Sequence, residues 1–275
     1  LLTGFVFSYT IAQEESESYP VTTFESNYLV NDQTTVVFDK KTLGFEIQHK
    51  FGTLENGKSD LWGIYGAGTN IRLGLNFVPM KNFQIGWGVT KKNMYNDFSA
   101  KWTILEQTRR NTIPVTVTLL GTMAIDGRST EYFKSMQYYH SSDPYYPLNL
   151  NRYREYDRLS YFSQLLVSRK FTEWLTLQVG TSFTHYNLVA KTGDHDKIGA
   201  HVAGRIKFSP QSSIIFNYDH PLKIKKISEQ REWIDHPRPN LACGLEIATT
   251  SHAFQIFLGS ADGIIPQDQM LFNQN

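Results

Sequence analysis

Residues 71–90 read Ile71-Arg72-Leu73-Gly74-Leu75-Asn76-Phe77-Val78-Pro79-Met80-Lys81-Asn82-Phe83-Gln84-Ile85-Gly86-Trp87-Gly88-Val89-Thr90. On an extended chain Ile71, Leu73, Leu75 and Phe77 fall on one side, and Arg72, Gly74 and Asn76 on the other. After a break at Pro79-Met80-Lys81-Asn82 the alternation resumes, with Phe83, Ile85, Trp87 and Val89 against Gln84, Gly86, Gly88 and Thr90. Successive side chains of a strand point to opposite faces, so the stretch is a hairpin with one apolar and one polar face. Residues 175–184 repeat the pattern, setting Leu175, Leu177, Val179 and Phe183 against Thr176, Gln178, Gly180, Ser182 and Thr184. The same period places strands near 42–52, 96–104, 113–124, 158–169, 198–208, 212–220, 240–248 and 252–259, eleven in all. Helical spacing is never the better fit. In 158–169 the register stays open, because Tyr161, Leu165 and Val167 compete with Phe162 and Leu166 for the apolar face.

The connections separate the two folds that alternation allows. Tight links at 79–82, Thr172-Glu173, 209–211 and 249–251 take turns with long ones at 53–67, 125–157, 186–197 and 221–239. An up-and-down barrel does this when one rim carries short periplasmic turns and the other long outer loops. Links 91–95 and 105–112 depart from the rule. Phe77, Phe83, Phe171, Trp174 and Phe208 lie beside the short turns, as an interfacial aromatic girdle requires. The expected fold is all-β, an antiparallel up-and-down transmembrane barrel of about 12 strands. Eleven of these are counted here, and a closing strand is expected beyond the outer-loop-like end Phe272-Asn273-Gln274-Asn275. The alternative is an exported soluble β-sandwich with its apolar faces inward.

Composition bounds the function. The 275 residues are 40% hydrophobic and 14% aromatic, enough for one large β domain. A net charge of +1, from 27 basic and 26 acidic residues, provides no field to recruit nucleic acid. Cys243 alone supports neither a disulfide framework nor a cysteine metal cluster. Uncharged Leu1–Ala12, ending Thr10-Ile11-Ala12, reads as the end of a secretory signal peptide. Residues 13–40 then read as a periplasmic N-terminal segment, and 41–275 as a barrel cut before its last strand. No segment approaches the roughly 18 consecutive apolar residues of a transmembrane helix.

Several stretches carry a resemblance: His49-Lys50-Phe51-Gly52, Asn70-Ile71-Arg72-Leu73-Gly74-Leu75, Asp97-Phe98-Ser99-Ala100-Lys101-Trp102, Pro114-Val115-Thr116-Val117 and 164–171 (QLLVSRKF). In that order, over most of 22–260, the chain resembles an uncharacterised family of predicted outer-membrane β-barrels from Gram-negative bacteria. The resemblance implies a barrel in the outer membrane and carries over no catalytic residue.

The candidate chemistry is sparse. His140, His185, His195, His201, His220, His236 and His252 stand in no recognisable nucleophile or zinc motif, so no enzyme, cofactor or metal is expected. Asp194-His195-Asp196 reads as a solvated loop tip, and 63–68 (GIYGAG) as an outer loop without the strand-to-helix context of a phosphate site. Within the Tyr-rich insertion 126–157, Tyr138, Tyr139, Tyr145, Tyr146 and Tyr153 offer faces and hydroxyls to a glycan or peptide, or pack on one another. Lys223, Lys225, Lys226 and Arg231, in another inferred outer loop, read as a solvated basic cluster, with contact to lipopolysaccharide phosphates as the alternative. Glu46, Lys50, Arg72, Asp97, Lys101, Arg205, Lys207, Asp219 and Glu246 are expected to face the lumen. A twelve-strand ring has a backbone radius of about 12 Å, so these charges either pair across it or line a narrow wet channel. The expected function is a monomeric outer-membrane channel or scaffold in contact with lipid and lipopolysaccharide, with a small solute or glycan as ligand. The alternative is a barrel-anchored surface binder using 126–157.

Overall fold

The structure is a computed structural model that describes residues 19–135, 138–140, 143–147, 153–190, 192–227 and 235–274, with side chains described outside 134–152. Eleven strands form one antiparallel sheet in chain order. They are β1 (Leu43–Lys50), β2 (Asn70–Met80), β3 (Phe83–Thr90), β4 (Asn96–Leu105), β5 (Thr116–Ile125), β6 (Leu159–Lys170), β7 (Leu175–Tyr186), β8 (Asp196–Lys207), β9 (Ser212–Pro221), β10 (Asn240–Ala248) and β11 (Ala253–Gly259). Each pairs with its neighbours in this order, and β1 and β11 are the two edges.

The β2–β3 hairpin shows how the sequence sets the register. Leu73 pairs with Val89, Leu75 with Trp87 and Phe77 with Ile85, so the bulky apolar side chains meet on one face. The expected four-residue turn is shorter than it reads. Met80 still pairs with Phe83, and Pro79, which has no N–H for the ladder, sits in a bulge between Phe77 and Met80. Lys81 and Asn82 alone make the turn, with Asn82 at φ 63°.

Every strand leaves an apolar side chain exposed on the same face: Phe45, Leu75, Trp87, Phe98, Leu119, Leu165, Val179, Val202, Ile214, Leu245 and Ile256. An apolar surface running across a whole sheet is far beyond what a soluble monomer exposes. A sandwich would bury this face under a second sheet, and among the described residues none covers it. The sandwich alternative is therefore set aside in favour of the barrel arrangement, in which this face meets lipid.

The opposite face is polar, buried and filled. Residues 19–40, expected to lie outside the barrel, instead enter beside the short-turn rim, where Pro20 bridges Thr108 and the Val21 N–H donates to the Gln107 carbonyl at 2.7 Å. That contact accounts for the length of the link after β4, which is long for this rim because it receives the entering chain. The segment rises to a two-residue hairpin, Tyr28–Leu29 against Asp32–Gln33, and returns to the Thr42–Val78 backbone pair before β1. At the other rim residues 261–273, expected to form an outer loop, fold inward instead. Their short helix α1 (Pro266–Leu271) packs on β6, β7, β8 and β9. This settles the open register of β6. Phe162 and Leu166 point inward and Tyr161, Leu165 and Val167 outward, and Phe162 is buried in a cluster with Leu120, Tyr186, Met270 and Leu271.

Lipid on the outer face makes a direct demand. Leu75→Arg, in the middle of β2, is expected to destabilise the folded protein by about 2–4 kcal/mol in urea titrations in lipid vesicles. A change within about 0.5 kcal/mol, the usual cost of a water-facing substitution, would contradict the lipid-facing assignment.

Candidate functional site at the filled inner face

All nine charges expected at the lumen stand on the inner face and, Asp219 apart, each is partnered by another of them or by the inserted segments. Arg72 on β2 forks onto Asp97 on β4, Nε to Oδ2 at 2.9 Å and Nη2 to Oδ1 at 2.6 Å, with Glu46 on β1 at 3.6 Å. Such bidentate geometry suits a planar guanidinium. Gly88 on β3 is small because any side chain there would collide with that guanidinium. Lys101 is 2% exposed, and its ammonium donates to the side-chain oxygens of Asn27, at 3.2 Å, and Gln33, at 2.9 Å, both on the inserted segment. Arg205 lies 3.6 Å from Glu246 and 3.1 Å from Glu25, and Lys207 is 3.6 Å from the same Glu25. Lys50 donates to the backbone carbonyls of Ala261 at 2.9 Å and Gly263 at 2.5 Å.

Uncharged groups complete the fit. Gln178 on β7 accepts from the Thr35 N–H at 3.0 Å and donates to the Gln33 carbonyl at 2.9 Å. Thr103 and Thr118, on β4 and β5, both donate to the Thr35 carbonyl, at 3.1 and 3.0 Å. Gln255 on β11 accepts from the Val30 N–H at 2.9 Å and donates to the Tyr28 carbonyl at 2.7 Å. Val30 sits at φ 59°, a conformation that costs a β-branched residue energy and persists where its surroundings impose it. Leu29 and Val30 add apolar contact with Ala203, Ile215 and Ala242. Residues 24–35 thus touch strands from β1 round to β11, which the sheet achieves only by curling about them.

Besides Glu25, sequence reading missed three groups here. Asp32 lies on the hairpin, where no periodicity marks it. Its carboxylate faces His201 on β8, Nδ1 to Oδ1 at 3.7 Å, and His201 in turn contacts Asp219 on β9 at 2.9 Å. Burial and the adjacent Asp219 carboxylate push Asp32 well above the usual carboxylate range. Asp268 on α1 accepts hydroxyl hydrogen bonds from Tyr95, at 3.0 Å, and Tyr186, at 2.8 Å. The third group is Lys197, buried against Asp194 at 2.6 Å. That pair corrects the reading of 194–196 as a solvated tip. Asp194 and His195 are buried, His195 meets the Tyr186 carbonyl at 2.6 Å, and Asp196 turns outward to His185 at 2.7 Å. The three do not converge.

At the rim opposite the short turns, Tyr138–His140 pairs as a short strand with Leu188–Ala190 and with Asp143–Pro147. The side chains of Tyr138, Tyr139, Tyr145 and Tyr146 fall outside the described residues, as does Arg231 and the whole of 1–12. Tyr153 is described: its ring stacks on Phe133 with centroids 5.9 Å apart, and its hydroxyl accepts from the Arg158 guanidinium. Arg128 lies over the Tyr132 ring at 4.0 Å and forks onto Asp126.

Two measurements follow from these contacts. Arg72→Met strands Asp97 and Glu46 without a cation and is expected to cost about 3–5 kcal/mol, while Arg72→Met with Asp97→Leu recovers most of that loss. Equal unfolding midpoints for the single and double variants would contradict the pairing. Burial holds Asp268 above the usual carboxylate range despite the lowering pull of Lys92. With the folded value the higher, its stabilising share is complete below the ordinary aspartate value and is lost as pH rises through the folded one. Asp268→Asn is therefore expected to raise the urea midpoint at pH 8 and to leave it unchanged near pH 3; no gain at pH 8 would count against this burial.

Against known families, residues 24–275 match the one described as a membrane bound beta barrel domain, DUF5777. Neither curated proteins nor solved structures return a match. The family match spans nearly all of a sheet whose outer face is apolar from edge to edge, and the chain belongs to this family of membrane-bound β-barrel domains.

Proposed function

We propose that the protein is an outer-membrane barrel of a Gram-negative bacterium, closed in its resting state by its own chain, that serves as a membrane scaffold for the loops of its outer rim. One observation carries this reading: residues 24–35 cross the inner face and hydrogen-bond to its side chains from β1 to β11. A cavity between Tyr28, Asp32, Arg72, Phe162 and Ile265 measures about 20 Å³, room for about one water. A standing narrow channel needs a continuous file of water, so conduction in this reading requires the hairpin to leave. The rim then carries any binding role, and the Arg128–Tyr132 and Phe133–Tyr153 contacts brace a platform suited to a glycan or peptide. Lipid and lipopolysaccharide are the surrounding partners, the barrel acts as a monomer, and no catalytic step is assigned.

Planar-bilayer recordings test this, on full chain refolded in detergent and shown to be folded by a heat-modifiable gel shift. The full chain is expected to be electrically silent, and deletion of residues 22–36 to give discrete conductance steps. Stable steps from the undeleted chain would overturn the closed-lumen reading.

A further inference from the structure

We infer that Asp32, His201 and Asp219 form a binding site for one divalent first-row transition metal ion, which pins the inserted hairpin to the barrel wall. Their donor atoms lie within 4.8 Å of one another, and all three residues are buried. Donors bound to such an ion at about 2.0–2.2 Å stand roughly 3–3.5 Å apart in a tetrahedral set. The His201 Nδ1 contacts of 2.9 Å to Asp219 and 3.7 Å to Asp32 are already near that spacing.

The surroundings orient these donors as outer-shell partners orient metal ligands. His201 Nε2 lies 2.7 Å from Ser182 Oγ, and a proton donated there leaves the Nδ1 lone pair facing the two carboxylates. Asp219 Oδ2 accepts from the amides of Asn217, at 2.8 Å, and Asn240, at 2.7 Å, which holds Oδ1 toward His201. Independent of this arrangement, two buried oxygens lack a partner: Asp32 Oδ2, and Oδ1 of the Asn217 side chain whose amide already holds Asp219. Two facing buried carboxylates with a free oxygen make a site that one cation completes. The imidazole and carboxylate donors suit zinc, manganese or iron(II) better than calcium, which favours six to eight oxygens. Any proton shared within the cluster is released on binding.

Two strands of the wall supply His201 and Asp219, and the hairpin supplies Asp32. The ion therefore bridges the two parts, and its removal loosens the hairpin without dismantling the sheet. The inference rests on the hairpin's place in the lumen but not on the silence of the barrel, so the two are tested separately.

The test is calorimetric titration of Zn²⁺ into the refolded, chelator-treated full chain near pH 7.5, with Co²⁺ absorption as a second probe. One equivalent per chain is expected, with affinity falling on the order of 100-fold in Asp32→Asn or His201→Gln and about 10- to 100-fold in Ser182→Ala. Asp196→Asn, which alters the outward pair with His185, is expected to bind as the parent does. Asp32 lies outside the sheet, so its variant keeps the gel shift that reports a folded barrel. A folded parent that takes up no stoichiometric Zn²⁺ would overturn the inference and leave a shared proton as the link between the carboxylates. Binding undiminished in both Asp32→Asn and His201→Gln would overturn it as well. Bilayer conductance read on the same samples shows independently whether the lumen is closed.

Discussion

A polar side chain on a membrane strand has two places where it is tolerated, water or a partner. Here the inner face of an eleven-stranded sheet carries arginine, lysine, aspartate and glutamate at positions that are almost fully buried. Burying one charge unpaired costs several kcal/mol, and many such charges would unfold the protein. Everything else in the structure answers that constraint. Wall charges pair where their strands allow it, as Arg72 does with Asp97. Chain from outside the sheet supplies further partners: Asn27 and Gln33 for Lys101, Glu25 for Lys207 and, beside Glu246, for Arg205, and the Ala261 and Gly263 carbonyls for Lys50.

The same constraint separates what was legible in the sequence from what was not. A strand that divides lipid from a polar interior is written as alternation, and residues 71–90 and 175–184 show it plainly. Strand ends came out within three residues, as with 113–124 against Thr116–Ile125. The ambiguity of 158–169 was itself a signal. Phe162 faces inward onto Met270 and Leu271, so the strand is apolar on both faces where the interior is locally apolar. Residues 19–36 carry no such mark. Their hairpin is two residues a side and held by side chains of the wall, so no local period reports it. Asp32, Glu25 and Asp268 were missed for that reason, since each is a partner recruited across the interior by a residue far away in sequence. The long link at 106–115 held the one available hint, a connection too long for the short-turn rim it lies on.

Strain at Val30 fits the same picture. A β-branched residue at positive φ persists only where its surroundings over-determine it, and here Gln255 grips the Tyr28 carbonyl and the Val30 N–H while Leu29 and Val30 pack on Ala203, Ile215 and Ala242. The hairpin is thus fitted into its place by directional bonds and by shape, as a part of the native interior. The rim opposite the short turns is built differently, from ring stacking and arginine contacts among Arg128, Tyr132, Phe133, Tyr153 and Arg158.

The central claim is that the inserted hairpin is a fixed part of the folded barrel. Hydrogen exchange read by mass spectrometry on the refolded full chain, resolved to peptides covering 22–36 and the strands, tests it most directly. The Val30, Thr34 and Thr35 amides are bonded in the interior, so exchange of this peptide as slow as that of β4 and β7 is expected. Exchange of 22–36 within seconds, with the strands still protected, would show that the barrel stands without it and would contradict the account.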